Sequence, residues 1–316
     1  MENPITVLEN QALKIRQDFL SGFEFGRKLN QDFSGKQVIA CGMGGSILAA
    51  EIFEDSFDFV VQDYSLPKLK NKKKAVVFCF SYSGNTEETL FCAKQAKKNG
   101  WKTFGFGRGG KLKKAVDEFY ETPDFKLPRF AVPYFLGLIQ GLFAGSKKPG
   151  LTKKINRINL NVNLVRRRAK LLAKQLRGKK ILIYAPESLG PITHFWEVNF
   201  DESSKTPSFI GELPDIDHHD IASFSGARSA KDFFAIFFDD GGAIKKRTRL
   251  TAQVFKKQLK INSTVLKLSP KKNISEILNN LLFGYLTSLE LARFYRINPF
   301  SNSLQERLKQ KLSRKK

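Results

Sequence analysis

Gln37-Val38-Ile39-Ala40-Cys41-Gly42-Met43-Gly44-Gly45-Ser46 and Ala75-Val76-Val77-Phe78-Cys79-Phe80-Ser81-Tyr82-Ser83-Gly84-Asn85-Thr86 follow one plan: a short apolar run, then a loop of glycines and hydroxyls that opens a helix. A helix N-terminus exposes unpaired backbone N–H groups and the positive end of a macrodipole, and glycine lets an anion approach the backbone closely. Gly45, Ser46, Ser81, Ser83 and Thr86 therefore read as a cradle for a phosphate. Hydroxyls stand where a lysine would serve phosphoryl transfer, so the phosphate is one to be held and released intact, as on a phosphosugar.

Working outward, apolar runs alternate with helical patterns through the first half. The runs are Gln37–Cys41, Asp58–Tyr64, Ala75–Ser81 and Thr103–Gly107, with helices expected at Ser46–Glu54, Thr86–Asn99 and Lys111–Phe119 and another near Leu8–Phe25, outside the sheet. Such alternation predicts right-handed βαβ units, a parallel sheet covered on both faces and an α/β, doubly wound, flavodoxin-like fold. Turn formers cluster at Gly145-Ser146-Lys147-Lys148-Pro149-Gly150, which sets an expected boundary between a 1–150 unit and a 151–316 unit. After it come a basic amphipathic helix over Leu151–Leu176 and strands at Lys180–Ala185, Phe233–Asp239 and Ser263–Leu268. Helices follow at Pro191–Lys205, Ile244–Lys260, Ile274–Tyr295 and Ser301–Leu312.

Composition narrows the classes. At 316 residues, 41% hydrophobic with 29 Phe, the chain supplies core for two domains of about 150 residues. The most apolar stretch, Phe130 to Gly145, is short for a membrane span and carries Gln140, and Met1-Glu2-Asn3-Pro4 does not resemble a signal peptide, so the expected location is cytoplasmic with no membrane contact. Cys41, Cys79 and Cys92 lack metal-like spacing and read as reduced core thiols. A net charge of +24 raises nucleic acid as a partner. The basic residues fall on helical stretches with no zinc-finger, helix-turn-helix or stacking signature, so a solvated basic surface that steers anionic substrates is the preferred reading.

Other phosphate motifs fit less well. A dinucleotide fingerprint starting at Gly42, with Asp63 as ribose ligand, needs a glycine where Ile47 stands, and no Gly-Lys-Ser/Thr phosphate loop is present. Helix capping by Asn85 or Thr86 uses the same donors as anion binding and does not exclude it.

The two loops, the Gly109-Gly110-Lys111-Leu112 turn and Pro128-Arg129 resemble the first sugar isomerase (SIS) domain, the phosphosugar-binding fold. In the second half, Leu189-Gly190-Pro191, Phe200-Asp201-Glu202-Ser203-Ser204-Lys205, Pro214-Asp215-Ile216-Asp217-His218-His219-Asp220 and the Asn298-Pro299 to Leu308-Lys309 helix resemble the bifunctional phosphoglucose/phosphomannose isomerases. The resemblance implies two SIS domains and reversible isomerisation of glucose 6-phosphate, and of mannose 6-phosphate, with fructose 6-phosphate through a cis-enediol. It implies Glu202 as the base between C1 and C2, His218 as the ring-opening acid, Arg129 and Lys309 as cations at the enediolate, and the loop residues as substrate binders. It also implies a phosphorylated hexose as the ligand, no cofactor or metal, and a homodimer in which His218 serves the neighbouring site. Asp201-Glu202-Ser203 departs from the family's Asn-Glu-Asn, and His219 takes a place often held by Asn. Asn302 falls where relatives differ in sugar specificity. The rival reading is a non-catalytic phosphosugar-binding SIS protein; an amidotransferase half is a weaker one, since no glutaminase segment is legible.

Overall fold

A computed structural model describes residues 2–29, 31, 33–69, 74–144, 155, 158–226, 230–268 and 273–313, the side chains of 306, 309, 310, 312 and 313 excepted. In the first half β1 (Gln37–Gly42), β2 (Phe59–Val61), β3 (Ala75–Phe80), β4 (Lys102–Gly107) and β5 (Glu118–Glu121) form a parallel sheet in the order β2-β1-β3-β4-β5. The second half repeats the plan with β6 (Lys180–Pro186), β7 (Ser208–Leu213), β8 (Phe233–Asp239) and β9 (Asn262–Lys267) in the order β7-β6-β8-β9. In both, chain order reverses beside the first strand, the position at which open α/β sheets bind ligands.

Alternation along the central strands explains why both faces are dry. Val76, Phe78 and Phe80 enter one core while Ala75, Val77 and Cys79 enter another; on β6, Ile181 and Ile183 face one side and Leu182 and Tyr184 the other. One of these cores is continuous between the sheets, so the halves share a hydrophobic interior. Cys41, Cys79 and Cys92 are all buried free thiols.

The helix Val132–Phe143, within the most apolar stretch of the sequence, is buried in this interior up to Leu142. It crosses the helix Ile15–Leu29 through interlocked glycines: a Cβ on Gly22 would sit 2.0 Å from the Tyr134 carbonyl oxygen, and one on Gly137 would sit 1.9 Å from that of Phe19. The Gly22/Gly26 and Gly137/Gly141 pairs are thus a seam that fixes where Val132–Phe143 starts, and with it Arg129 just before. Among the described residues no helix is long and apolar enough to cross a membrane.

Several expectations needed correction. The Lys111–Phe119 helix is only Leu112–Ala115, because Asp117 turns to hydrogen-bond the Thr103 amide and hydroxyl at 2.8 and 2.9 Å and the chain continues as β5. Strand β7 had no expected counterpart: it is an edge strand with Phe209 and Ile210 exposed, so it shows no alternation. The N-terminal helix is two, Pro4–Leu13 and Ile15–Leu29. The expected basic helix Leu151–Leu176 is interrupted: residues 158–161 are not helical, and the helix Val162–Leu176 starts after them, capped by the Asn161 side chain. The expected boundary at 145–150 lies outside the described residues.

Candidate active site

Parallel strands deliver both glycine–hydroxyl loops to one sheet edge, where one hydrogen bond joins them and others shape the second loop. Ser46 Oγ accepts from the Tyr82 amide at 3.1 Å, Ser81 Oγ and Thr86 Oγ1 share a hydrogen bond at 2.9 Å, and Ser83 Oγ accepts from the Asn85 amide at 3.2 Å. Asn85 Oδ1 accepts from the Lys111 amide at 3.1 Å, which closes the Gly109–Lys111 turn over the loop. Gly84, at φ +66°, makes this closure possible, since a side chain there would run into the Gly109 carbonyl. Thr86 occupies the N-cap of the helix Glu87–Lys98 with no side-chain cap bond, leaving the first-turn amides available to a ligand.

Arg129 sits on a 3-10 turn, Pro128–Ala131, pressed against the first loop: a Cβ on Gly45 would lie 2.9 Å from Arg129 Cα. Tyr285, from the long helix Ile274–Tyr295, donates to the Arg129 carbonyl at 2.6 Å and stacks on Phe130. The guanidinium, 1% exposed, donates Nε to Ser203 Oγ at 3.0 Å, Nη1 to Glu202 Oε2 at 2.8 Å and Nη2 to the Pro299 carbonyl at 3.1 Å. Burial lowers its pKa from the ordinary value and the Glu202 carboxylate opposes that shift; the group remains charged.

Glu202 arrives from the second half. The helix Gly190–Asn199 widens into a π turn, Phe200–Ser204, and ends at Lys205 in the left-handed region at φ 51°. π turns re-aim side chains within a helix and recur at functional sites. The wider turn sends adjacent carboxylates apart. Asp201 faces Ser208, taking its amide and hydroxyl at 3.0 and 2.8 Å, while Glu202 faces Arg129 and stays 31% exposed. Desolvation raises the Asp201 pKa, with the Glu202 charge adding to the shift. An open cleft of about 600 Å³ lies beside the turn, lined by Asp201, Lys205, Thr206, Pro207, Ser208 and Phe209.

The structure thus brings together Gly45, Ser46, Ser81, Ser83, Thr86, Arg129 and Glu202. His218 stands apart from them. It lies on the helix Ile216–Ser225, exposed and without a side-chain hydrogen-bond or ion-pair partner among the described residues, whereas its neighbours are fixed. Asp217 accepts from Thr251 and Arg247, and His219 is paired with Asp215 and Asp220. Lys309 falls on the last helix, Ser303–Ser313, and its side chain lies outside the described residues. Among the described residues no group of three or more His, Cys, Asp or Glu could hold a metal ion.

Sequence reading passed over two features. Lys205 donates to the Glu202 carbonyl at 2.7 Å and to Asn302 Oδ1 at 2.6 Å, although it stands within the same motif as Glu202. His194 Nδ1 meets Glu51 Oε2 at 2.9 Å, joining the helix that leads into the Glu202 turn to the short helix Leu48–Ile52 behind the first loop. Neither link has a local sequence signal: Lys205 and Asn302 meet across 97 positions within the second half, and Glu51 and His194 meet across the two halves.

Residues 166–312 match the family model of the bacterial phospho-glucose isomerase C-terminal SIS domain. A bifunctional phosphoglucose/phosphomannose isomerase of Aquifex aeolicus is 28% identical over 96% of this chain and 99% of its own length. A D-glucosamine-6-phosphate 4-epimerase of Sulfolobus acidocaldarius is 29% identical over 61% of this chain and 65% of its own. Among solved structures, a protein of Thermus thermophilus superposes with a TM-score of 0.72 at 15% identity, covering 99% of this chain and 90% of that one, which supports the fold.

Proposed function

We propose that this chain, a member of the bifunctional phosphoglucose/phosphomannose isomerase family, interconverts glucose 6-phosphate and fructose 6-phosphate, and mannose 6-phosphate with them, by proton transfer through a cis-enediol. The observation that carries this reading is the Glu202 carboxylate, held at 2.8 Å by a buried arginine whose backbone presses on the first phosphate loop. Base and anchor are thereby at a fixed separation, which is what moving a proton between adjacent carbons of an anchored sugar requires.

In this reading the first-turn amides of Glu87–Lys98 and the hydroxyls of Ser46, Ser81, Ser83 and Thr86 bind the phosphate, with Gly45 giving room for the approach. Glu202 takes the proton from one carbon and returns it to the other, a step to which a positioned base contributes on the order of 10²–10⁴-fold. Arg129 orients that carboxylate with one N–H, and its charge, little screened by water, favours the enediolate oxygens. Lys309 adds a second cation from the last helix. His218, exposed and free of side-chain partners among the described residues while Asp217 and His219 are fixed, is the acid that opens the ring. We place it in the site of a second copy of the chain, so the working unit is a cytoplasmic homodimer built from two SIS domains per chain. The basic surface steers the dianionic sugar and does not serve nucleic acid.

A coupled assay with fructose 6-phosphate on wild type and Glu202→Gln, alongside calorimetric binding, tests the reading. Turnover in wild type, with loss of turnover and retained binding in the variant, supports it. Equal activity in both removes Glu202 from the mechanism. Binding without turnover in wild type favours a phosphosugar-binding protein on the same fold.

A further inference from the structure

The last helix, Ser303–Ser313, has no hold on the body of the protein through its described side chains. Ser303, Leu304, Gln305, Arg307, Leu308 and Lys311 are all exposed, Leu304 at 78% and Leu308 at 58%. Among the described residues, what holds it is the chain that leads into it. Two polar tethers among the described residues hold that chain: the Pro299 carbonyl on Nη2 of Arg129, the partner of Glu202, at 3.1 Å, and Asn302 Oδ1 on Nζ of Lys205, at the end of the Glu202 turn, at 2.6 Å.

Lys205 is built for this contact. It ends the π turn in the left-handed conformation, uncommon for a residue with a side chain. From there its ammonium also reaches the Glu202 carbonyl at 2.7 Å, one of the carbonyls that a helix C-terminus leaves without an internal partner. A cation is favoured at that end of a helix. The ammonium is donor-only, so it faces the oxygen of the Asn302 amide and fixes which way that amide points. Burial and the neighbouring Arg129 charge both lower the Lys205 pKa, opposed by Glu202. One side chain thus bonds the peptide unit of Glu202 and the residue immediately before the last helix.

We propose that Lys205 is a positioning residue: with Asn302 it forms a clasp that sets the last helix against the Glu202 turn, so that the base and whatever the last helix contributes assemble as one unit. The clasp is distinct from the phosphate anchor, because neither residue has a hydrogen bond to the loops of the first half among the described residues. For its catalytic consequence the inference rests on the isomerase reading; the clasp itself does not.

The test uses Lys205→Met, Lys205→Arg, Asn302→Ala and the Lys205→Met/Asn302→Ala double variant, with two readouts on the full chain. Amide hydrogen exchange over residues 298–305 reports the clasp directly. Steady-state kinetics with fructose 6-phosphate report its effect on chemistry. The expected result is faster exchange in Lys205→Met and in Asn302→Ala. The double variant should be no faster than either single one, and Lys205→Arg should be close to wild type. In kinetics, each single variant should lose about five- to tenfold in kcat, the range of one charge-assisted hydrogen bond near the surface, with KM within about twofold and the double variant no worse than the singles. Effects that multiply in the double variant, or unchanged exchange in Lys205→Met, overturn the clasp. A rise in KM at constant kcat also overturns the positioning role, since it means that Lys205 holds substrate. If wild type does not turn over, the isomerase reading fails and the exchange arm still decides the clasp.

Discussion

Changing Glu202 to Gln costs stability as well as activity, and the geometry says which partner is responsible. Arg129 is 1% exposed whereas the Glu202 side chain is 31% exposed, so the arginine cannot return to water and the carboxylate can. The glutamine amide keeps an oxygen to accept from Nη1 but removes the counter-charge from a buried guanidinium. Breaking a buried pair by removing one partner costs roughly 3–5 kcal/mol. With the hydrogen bond retained and Glu202 partly solvated, about 2 kcal/mol is the expected loss. Arg129→Met removes the buried charge itself and leaves Ser203 Oγ and the Pro299 carbonyl without their donor, at about 1 kcal/mol each. Its single-variant loss is therefore also about 2 kcal/mol. The double variant has no buried charge left, and a buried pair replaced by neutral groups of similar volume is often neutral or better. It should be no less stable than Glu202→Gln alone, with a coupling energy of about 2 kcal/mol, while remaining inactive. Urea unfolding of the four proteins measures this cycle, and in thermal unfolding of a chain this long 2 kcal/mol corresponds to roughly 3 °C. Additive losses, about 4 kcal/mol in the double variant, would refute the idea that an uncompensated buried arginine is what Glu202→Gln creates.

Two further outcomes follow from the same geometry. Burial pushes the His194 imidazole down, but the hydrogen bond and charge of Glu51, with the charge of Glu197, more than reverse this, so its pKa in the folded state lies above the ordinary 6.5. A raised histidine stabilises fully below its unfolded pKa and loses that contribution as pH rises through the folded value. The groups facing the ring are Glu51, which also accepts from Gln62, and Glu197. Wild type should therefore exceed His194→Gln in Tm at about pH 6, with the gap closing as pH rises above the ordinary histidine range and through the raised folded value; a gap that widens with pH contradicts the pair. Gly45→Ala places a Cβ 2.9 Å from Arg129 Cα and 3.1 Å from its amide nitrogen, on a backbone fixed by Tyr285. Overpacking of this kind costs about 1–3 kcal/mol, and the displaced arginine should lower kcat for fructose 6-phosphate, read by unfolding and by the coupled assay.

How much of this was legible in the sequence depends on the range of the interaction concerned. The two glycine–hydroxyl loops were legible as neighbours at one sheet edge, because strand, glycine and hydroxyl follow one another closely in the chain and a parallel sheet fixes where its loops emerge. Glu202 and Arg129 were found through their motifs, and their meeting was expected only from the resemblance: 73 positions separate them and no local pattern encodes the contact. Strand β7 was missed because an edge strand with one open side has no enforced alternation, and β5 because Lys111-Leu112-Lys113-Lys114-Ala115 begins helically before Asp117 is captured by Thr103. Lys205 was on the page as a motif letter, yet its left-handed backbone follows from the π turn before it, and a π turn leaves no mark in residue type.

The same reasoning explains how the turn accommodates Asp201 and Ser203 on either side of Glu202. Ser203 is fully buried and needs only an acceptor for Arg129 Nε, which its hydroxyl supplies at 3.0 Å. Asp201 faces away from the arginine and closes the turn onto β7 through the Ser208 amide and hydroxyl, a task for an acceptor of either kind. Burial and the Glu202 charge raise its pKa from the ordinary value, against the two Ser208 hydrogen bonds, which lower it. What the turn must preserve is a set of acceptors around one buried guanidinium. Of the three it uses, Ser203 Oγ and the Pro299 carbonyl belong to buried residues, whereas the Glu202 carboxylate also reaches water.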